Sequence, residues 1–192
     1  MSCVQSNLIE RTESGLYCRA ADAWIDPWKP VPKALITHAH SDHARAGCSE
    51  YWAIDSSEAV LRQRLGRTIN LHPVVYGKEF WLGQCKVSFH SAGHVLGSAQ
   101  IRLESDGQVW VVSGDYKRDH DPSCAPFESI ACDVLITEAT FGMPIYRWDS
   151  GAKVAESIRE WWQGDRNRPT LLFCYAFGKA QRLLAELKAI GV

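Results

Sequence analysis

The sequence contains seven cysteines in 192 residues, yet no two of them are spaced C-x-x-C. That lack removes a zinc ribbon and a thioredoxin-type redox site, and the odd number argues against a fully paired disulfide framework. Reduced thiols in a cytosolic protein are the simpler expectation. No apolar run is longer than a few residues, so no segment is expected to span a membrane. Residues 1–11 lack the apolar stretch of a secretory signal. Charge of one sign is also missing. Lys plus Arg is 21 against 22 for Asp plus Glu, a formal charge of −1. This excludes nucleic-acid binding through an overall basic surface and leaves only a local basic track. Neither a G-x-S-x-G elbow nor a P-loop occurs, so nothing points to a serine nucleophile or a nucleotide cradle. Internal repeats and low-complexity tracts are lacking too.

The composition that remains is that of an ordinary globular chain, with 46% apolar and 22% charged residues. The first two-thirds reads as short strands at 23–25, 34–37, 51–54, 86–90, 100–103, 109–112 and 134–137. Asp106-Gly107 between two of these is a hairpin signal. Helices are expected from an N-cap at Ser56 to Leu65 with Gly66 as the stop, from Ser150 through Trp162, and over 177–189. An apolar segment at 169–175 is expected to be a strand. The stretch 164–169 is the candidate boundary, dividing a core at 1–165 from a second unit that begins at 166–192.

The sharpest feature is His38-Ala39-His40-Ser41-Asp42-His43, directly after the apolar run 34–37. Imidazole nitrogen and carboxylate oxygen suit zinc, and also manganese or iron. Residues i and i+2 of an extended segment share a side, which groups His38 with His40. If the chain then turns into a helix, Asp42 and His43 face a second position nearby, so the spacing suits two adjacent metals. His94 stands in the Gly-rich loop 91–98 between two strands, and Asp115 follows the apolar strand 109–112. A carboxylate has two oxygens and can bridge two metals. Standing alone, His94 reads as an ordinary loop histidine and Asp115 as a turn residue; with the 38–43 cluster, both read as ligands. His72, His90 and His120 read as surface or loop histidines. Cys48, Cys85, Cys124, Cys132 and Cys174 read as small packing residues.

The order His-x-His-x-Asp-His, Gly-His loop, strand-end Asp resembles the metallo-β-lactamase superfamily. The resemblance implies an α/β fold, the αββα sandwich, with two divalent ions, zinc foremost and manganese or iron as alternatives. It implies that His38, His40 and His94 hold one ion, that Asp42 and His43 hold the second, and that Asp115 bridges. Asp26, at the end of the 23–25 strand, matches the family's first motif and would support the ligands from behind. Glu138 follows the strand at 134–136 and resembles the first motif of the β-CASP nucleases, where it would orient a ligating histidine or manage a proton. The run 175–182 resembles the segment that opens the β-CASP insert. The runs 113–117 and 140–148 look most like bacterial ligase-associated DNA exonucleases, relatives of the Artemis-type nucleases. Later β-CASP motifs and the closing strands of the core have no counterpart before Val192. The expectation is therefore the N-terminal part of a longer protein, lacking its C-terminal closing strands and carrying the start of a β-CASP domain.

What the resemblance implies is a metal-dependent DNA exonuclease acting in DNA end processing and repair through metal-activated hydroxide. Asp42, Asp115 and Glu138 would be its catalytic residues. Tyr116, Lys117 and Arg118 lie just after Asp115 and are candidates for phosphate contacts at the rim. Between 147 and 188 there are eight Lys or Arg against five Asp or Glu, a local basic excess. Family association adds a DNA ligase and a helicase as partners, beside the cytoplasmic location expected from the thiols. An RNA-processing β-CASP ribonuclease similar to mRNA 3′-end-processing factors and a non-catalytic scaffold stay open at this point, while the segments 137–142 and 175–182 argue against a small-molecule hydrolase such as a thioesterase.

Overall fold

The computed structural model describes residues 7–192. Eleven strands form two mixed sheets. The first sheet runs in sequence order: β1 (Ile9–Thr12), β2 (Gly15–Cys18), β3 (Ala23–Ile25), β4 (Lys33–Leu35), β5 (Glu50–Ile54) and β6 (Leu71–Val74). Its first three strands are antiparallel and β3 through β6 are parallel. The second sheet is an antiparallel meander of β7 (Phe80–Leu82), β8 (Cys85–Ser91), β9 (Ala99–Ser105) and β10 (Gln108–Val112). Strand β11 (Val134–Ile136) adds in parallel beside β10.

The period of two decides which side chains enter the sandwich. In β4 and β5, Leu35, Trp52 and Ile54 join Val87, Phe89, Ile101, Leu103 and Val112 between the sheets. Their neighbours Ala34, Tyr51 and Ala53 point the other way and pack with Leu61 of α1 (Glu58–Leu65). Both faces of these parallel strands are thus covered, which is why they read as unbroken apolar runs. The result is the α/β sandwich that the resemblance implies. No described helix is long and apolar enough to cross a membrane.

The Asp106-Gly107 turn forms as expected. Ser105 pairs with Gln108, and both loop residues have positive φ, +51° and +73°. That is the geometry of a two-residue turn matched to strand twist. Gly66 stops α1, with φ +123° and its N–H donating to the Arg62 carbonyl. The start of α1 differs from expectation. A 3₁₀ turn at Asp55–Ser57 precedes it, and the N-cap is Ser57 rather than Ser56. The Ser57 hydroxyl donates back to Ile54 O and so caps nothing. Arg67 follows the stop glycine and lies outside the helix.

Helix α2 (Gly151–Gly164) is capped by the Ser150 hydroxyl, which accepts from Lys153 N at 3.3 Å. Helix α3 (Lys179–Ala189) packs against it, across the boundary expected near 165. The run 169–175 is not a strand. An apolar segment becomes a strand only where a neighbouring backbone pairs with it, and among the described residues this one has none; Phe173 is 94% exposed.

Candidate metal centre

Three connections bring the site together at one end of the sandwich. Strand β4 delivers Thr37 and His38, both 1% exposed. After His40 the chain makes one turn, not a helix: the N–H groups of His43 and Ala44 both donate to His40 O. The loop between β8 and β9 carries His94. It is gathered by the Ser98 hydroxyl, which accepts from the N–H groups of His94 and Val95 at 3.0 and 3.1 Å. Strand β10 delivers Asp115 through Gly114. That glycine sits at φ +54°, and a Cβ there would lie 2.6 Å from Thr37 Oγ1. The close approach of the two strand ends requires glycine.

Nε2 of His38 lies 2.9 Å from Nδ1 of His40, and Nε2 of His94 lies 3.4 Å from the same atom. Oδ2 of Asp115 stands 3.9 Å from Nε2 of His38 and 3.7 Å from Nε2 of His94. These four residues offer ligand atoms that all lie within 4.8 Å of one another. Oδ1 of Asp115 turns the other way, 3.3 Å from Nε2 of His43, which is itself 3.7 Å from Oδ2 of Asp42. One carboxylate therefore divides its two oxygens between two groups of donors. The chemistry of both groups, imidazole nitrogen with carboxylate oxygen, fits a divalent transition metal.

The outward-facing ring nitrogens are held as well. Asp26 has φ +43°, a conformation open to aspartate. Its Oδ1 accepts from Thr37 N at 2.8 Å, and its Oδ2 contacts Thr37 Oγ1 at 2.5 Å and His43 Nδ1 at 2.7 Å. With its proton given to Asp26, the Thr37 hydroxyl is left as acceptor for His38 Nδ1, 3.1 Å away. His38 then presents Nε2 inward as a lone pair, and His43 would do so once its inward proton is displaced. Asp26 is expected here from the sequence, whereas Thr37 is not. A buried threonine one residue before the histidine cluster is the signal that could have found it. The outward nitrogen of His40 meets Phe177 O at 3.2 Å, another partner the sequence did not suggest.

Charge follows the same geometry. Burial and the neighbouring imidazoles push His38 well below the usual histidine range, and burial lowers His94. Burial also opposes charge on His43, yet its bonds to Asp115 and Asp26 outweigh that and lift it to about 10. The bond from His43 holds Asp115 down at about 2 despite burial. Without metal, then, His43 and Asp115 form an ion pair.

Other expected site residues divide. Glu138 lines the same cleft of about 350 Å³ as Asp26, Asp42, His43 and Asp115. Its carboxylate accepts from Thr140 N at 2.8 Å, and no hydrogen bond to a histidine is seen among the described residues. Lys117 is not a free rim cation, because its ammonium lies 3.3 Å from the buried Asp121. Tyr116 packs on Phe127, while Arg118 is exposed. His72 pairs with Glu50 and His90 with Glu128, both away from the site.

No protein-family model matches the chain. Among curated proteins it is 33% identical over 179 residues to a protein of Opitutus terrae named "Probable DNA ligase", covering 91% of this chain and 17% of that protein. It is 33% identical over 106 residues to cleavage and polyadenylation specificity factor subunit 3 of Dictyostelium discoideum, covering 53% of this chain and 13% of the relative. An RNase J-like protein of Methanocaldococcus jannaschii is 26% identical over 183 residues, with 81% and 43% covered. The chain thus spans less than half the length of each of these relatives. A crystal structure of a protein of unknown function from Enterococcus faecalis shares the fold, with a TM-score of 0.57 at 10% identity over 83% of this chain and 44% of that one. By its relatives, its fold and the order of its histidine, aspartate and glutamate motifs, the chain is related to the β-CASP branch of the metallo-β-lactamase superfamily.

Proposed function

We propose that this chain carries the metal-binding part of a DNA exonuclease that hydrolyses phosphodiester bonds during end processing. The observation that carries the reading is the Asp115 carboxylate, whose two oxygens face two separate donor groups. His38, His40 and His94 would hold one ion, Asp42 and His43 the other, with Asp115 between them. Two divalent ions, zinc foremost with manganese or iron also suited, would supply Lewis acidity toward a phosphate and an acidified water.

The chain's own residues have distinct tasks. Asp26 takes the outward proton of His43 and, through the Thr37 hydroxyl, orients His38. Both ring orientations are thereby set from the outward side before any ligand arrives. Glu138, which lines the cleft, would accept or return a proton at the substrate. Arg118 is the exposed cation nearest in sequence to Asp115 for a backbone phosphate. Lys117, engaged by Asp121, is better suited to bracing the loop.

DNA is favoured by the similarity to the Opitutus protein across 91% of the chain, and the same similarity supports action beside a ligase. An RNA substrate is the second reading. It is favoured by the relatives named endoribonuclease, including one from Aspergillus fumigatus 39% identical over 103 residues. The test is metal content by elemental analysis together with cleavage of a 5′-phosphorylated DNA and a matched RNA, with Asp115→Ala as control. Bound metal and DNA cleavage lost in the control is the expected result. Cleavage of RNA alone overturns the substrate, and lack of bound metal overturns the site.

A further inference from the structure

Three of the clustered histidines have their outward nitrogens held, and the holders come from different parts of the chain. Those of His38 and His43 are Thr37 and Asp26, close by in the first sheet. That of His40 is the carbonyl of Phe177, which lies 137 positions along the chain. Since Nδ1 of His40 faces His38 and His94, Nε2 must carry the proton that Phe177 O accepts.

The carbonyl is not there by drift. Gly178 N donates to Gln181 Oε1 at 2.8 Å, and Gln181 Nε2 donates to Ala176 O at 2.8 Å, so one side chain braces both flanks of Phe177. Gly178 has φ +96°, and a Cβ on it would lie 2.5 Å from Val95 Cγ1, in the loop that carries His94. The Phe177 ring stands edge-on to His40 at 5.5 Å, with the Arg64 guanidinium over it. One turn further, Arg182 reaches Asp121 at 3.7 Å, the same carboxylate that holds Lys117 beside Asp115. The segment at 176–182 is thus seated on two loops of the metal centre, although the run just before it, from Leu171 to Tyr175, is exposed.

We infer that the 176–182 segment completes the metal site by positioning His40: the Phe177 carbonyl fixes the His40 tautomer, so the His38–His40–His94 position reaches full affinity only with the segment seated. This rests on reading that position as a metal site. Phe177 is a positioning residue acting through its backbone, and a partner of this kind is worth about 10- to 100-fold in metal affinity.

The experiment titrates the chain with Zn(II) and with Co(II), whose visible spectrum reports ligand geometry, and follows histidine ring nitrogens by NMR in the zinc-loaded protein. In the wild type, His40 should show a protonated, exchange-protected Nε2. Gly178→Ala should weaken binding about 10- to 100-fold, change the Co(II) spectrum and expose that proton, while leaving the His38 Nδ1 proton protected. Gln181→Leu, an exposed change that leaves the fold intact, should act in the same direction; Leu184→Ala on the same helix should do nothing. A wild type whose His40 carries its proton on Nδ1 overturns the inference, whatever the variants do. So does unchanged affinity and spectrum in Gln181→Leu together with a still-protected Nε2 proton. Lack of metal binding by the wild type overturns the site reading beneath it, a different result from metal binding that ignores the segment.

Discussion

Oδ2 of Asp26 lies 2.7 Å from Nδ1 of His43, and the opposite nitrogen of that ring lies 3.3 Å from Oδ1 of Asp115. One imidazole thus links a carboxylate behind the site to one inside it. Most of the expected behaviour of the centre follows from that line of three residues.

Asp26→Asn keeps the size of the side chain and its tolerance of positive φ but makes a poorer partner for His43 Nδ1 and Thr37 Oγ1. Metal affinity should fall about 10- to 100-fold. Stability should fall by about 1–3 kcal/mol, because buried donors lose a charged acceptor. Zinc titration and thermal melts of the same variant check both, and an unchanged affinity would remove Asp26 from the site.

The division of the Asp115 oxygens predicts metal stoichiometry. His94→Ala should lower occupancy of one position and leave the other, whereas Asp115→Ala should weaken both. Elemental analysis after dialysis distinguishes them. Equal losses in the two variants would mean a single shared position.

The metal-free chain should be most stable near neutral pH. His43 is raised to about 10 in the folded state, against about 6.5 for a free imidazole. Its contribution is fully present below about pH 6.5 and is lost as pH rises through about 10, because there the folded state holds a proton the unfolded chain has released. His38 and His94 are lowered. Below about pH 6.5 the unfolded chain takes up protons that they refuse, so stability falls on the acid side too. Melts in chelator across this range should show both limbs, and His43→Ala should flatten the alkaline one.

Gly114→Ala should cost about 1–3 kcal/mol and disturb metal binding with it. The new Cβ meets the Thr37 side chain, which bonds His38 on one side and Asp26 on the other. By contrast, Phe89→Ala empties the core between the sheets, where Phe89 is fully buried. It should cost about 3–5 kcal/mol while leaving metal stoichiometry at its normal value in the folded fraction. Comparison of melts with zinc titrations separates the two effects.

Sequence alone determined the features whose cause is local. Seven of the eight apolar runs expected as strands pair as strands, since each has enough β-branched or apolar character to be at least partly buried on one face. Asp106-Gly107 turns because its two residues accept positive φ, and Gly66 ends α1 for the same reason. His38, His40, Asp42 and His43 are close because six residues cannot separate them. Tertiary structure decided whatever depends on a distant partner. Strands β1, β2, β6 and β7 are short or polar, β6 even contains Pro73, and they exist because neighbours pair with them. Residues 169–175 have the apolar character of a strand and no described neighbour, so they are not one. Lys117 looked like a free cation until the fold set Asp121 beside it. The bond from His40 to Phe177 O left no trace in the sequence, because a backbone carbonyl is the same for every residue and only the path of the chain decides which ring it meets.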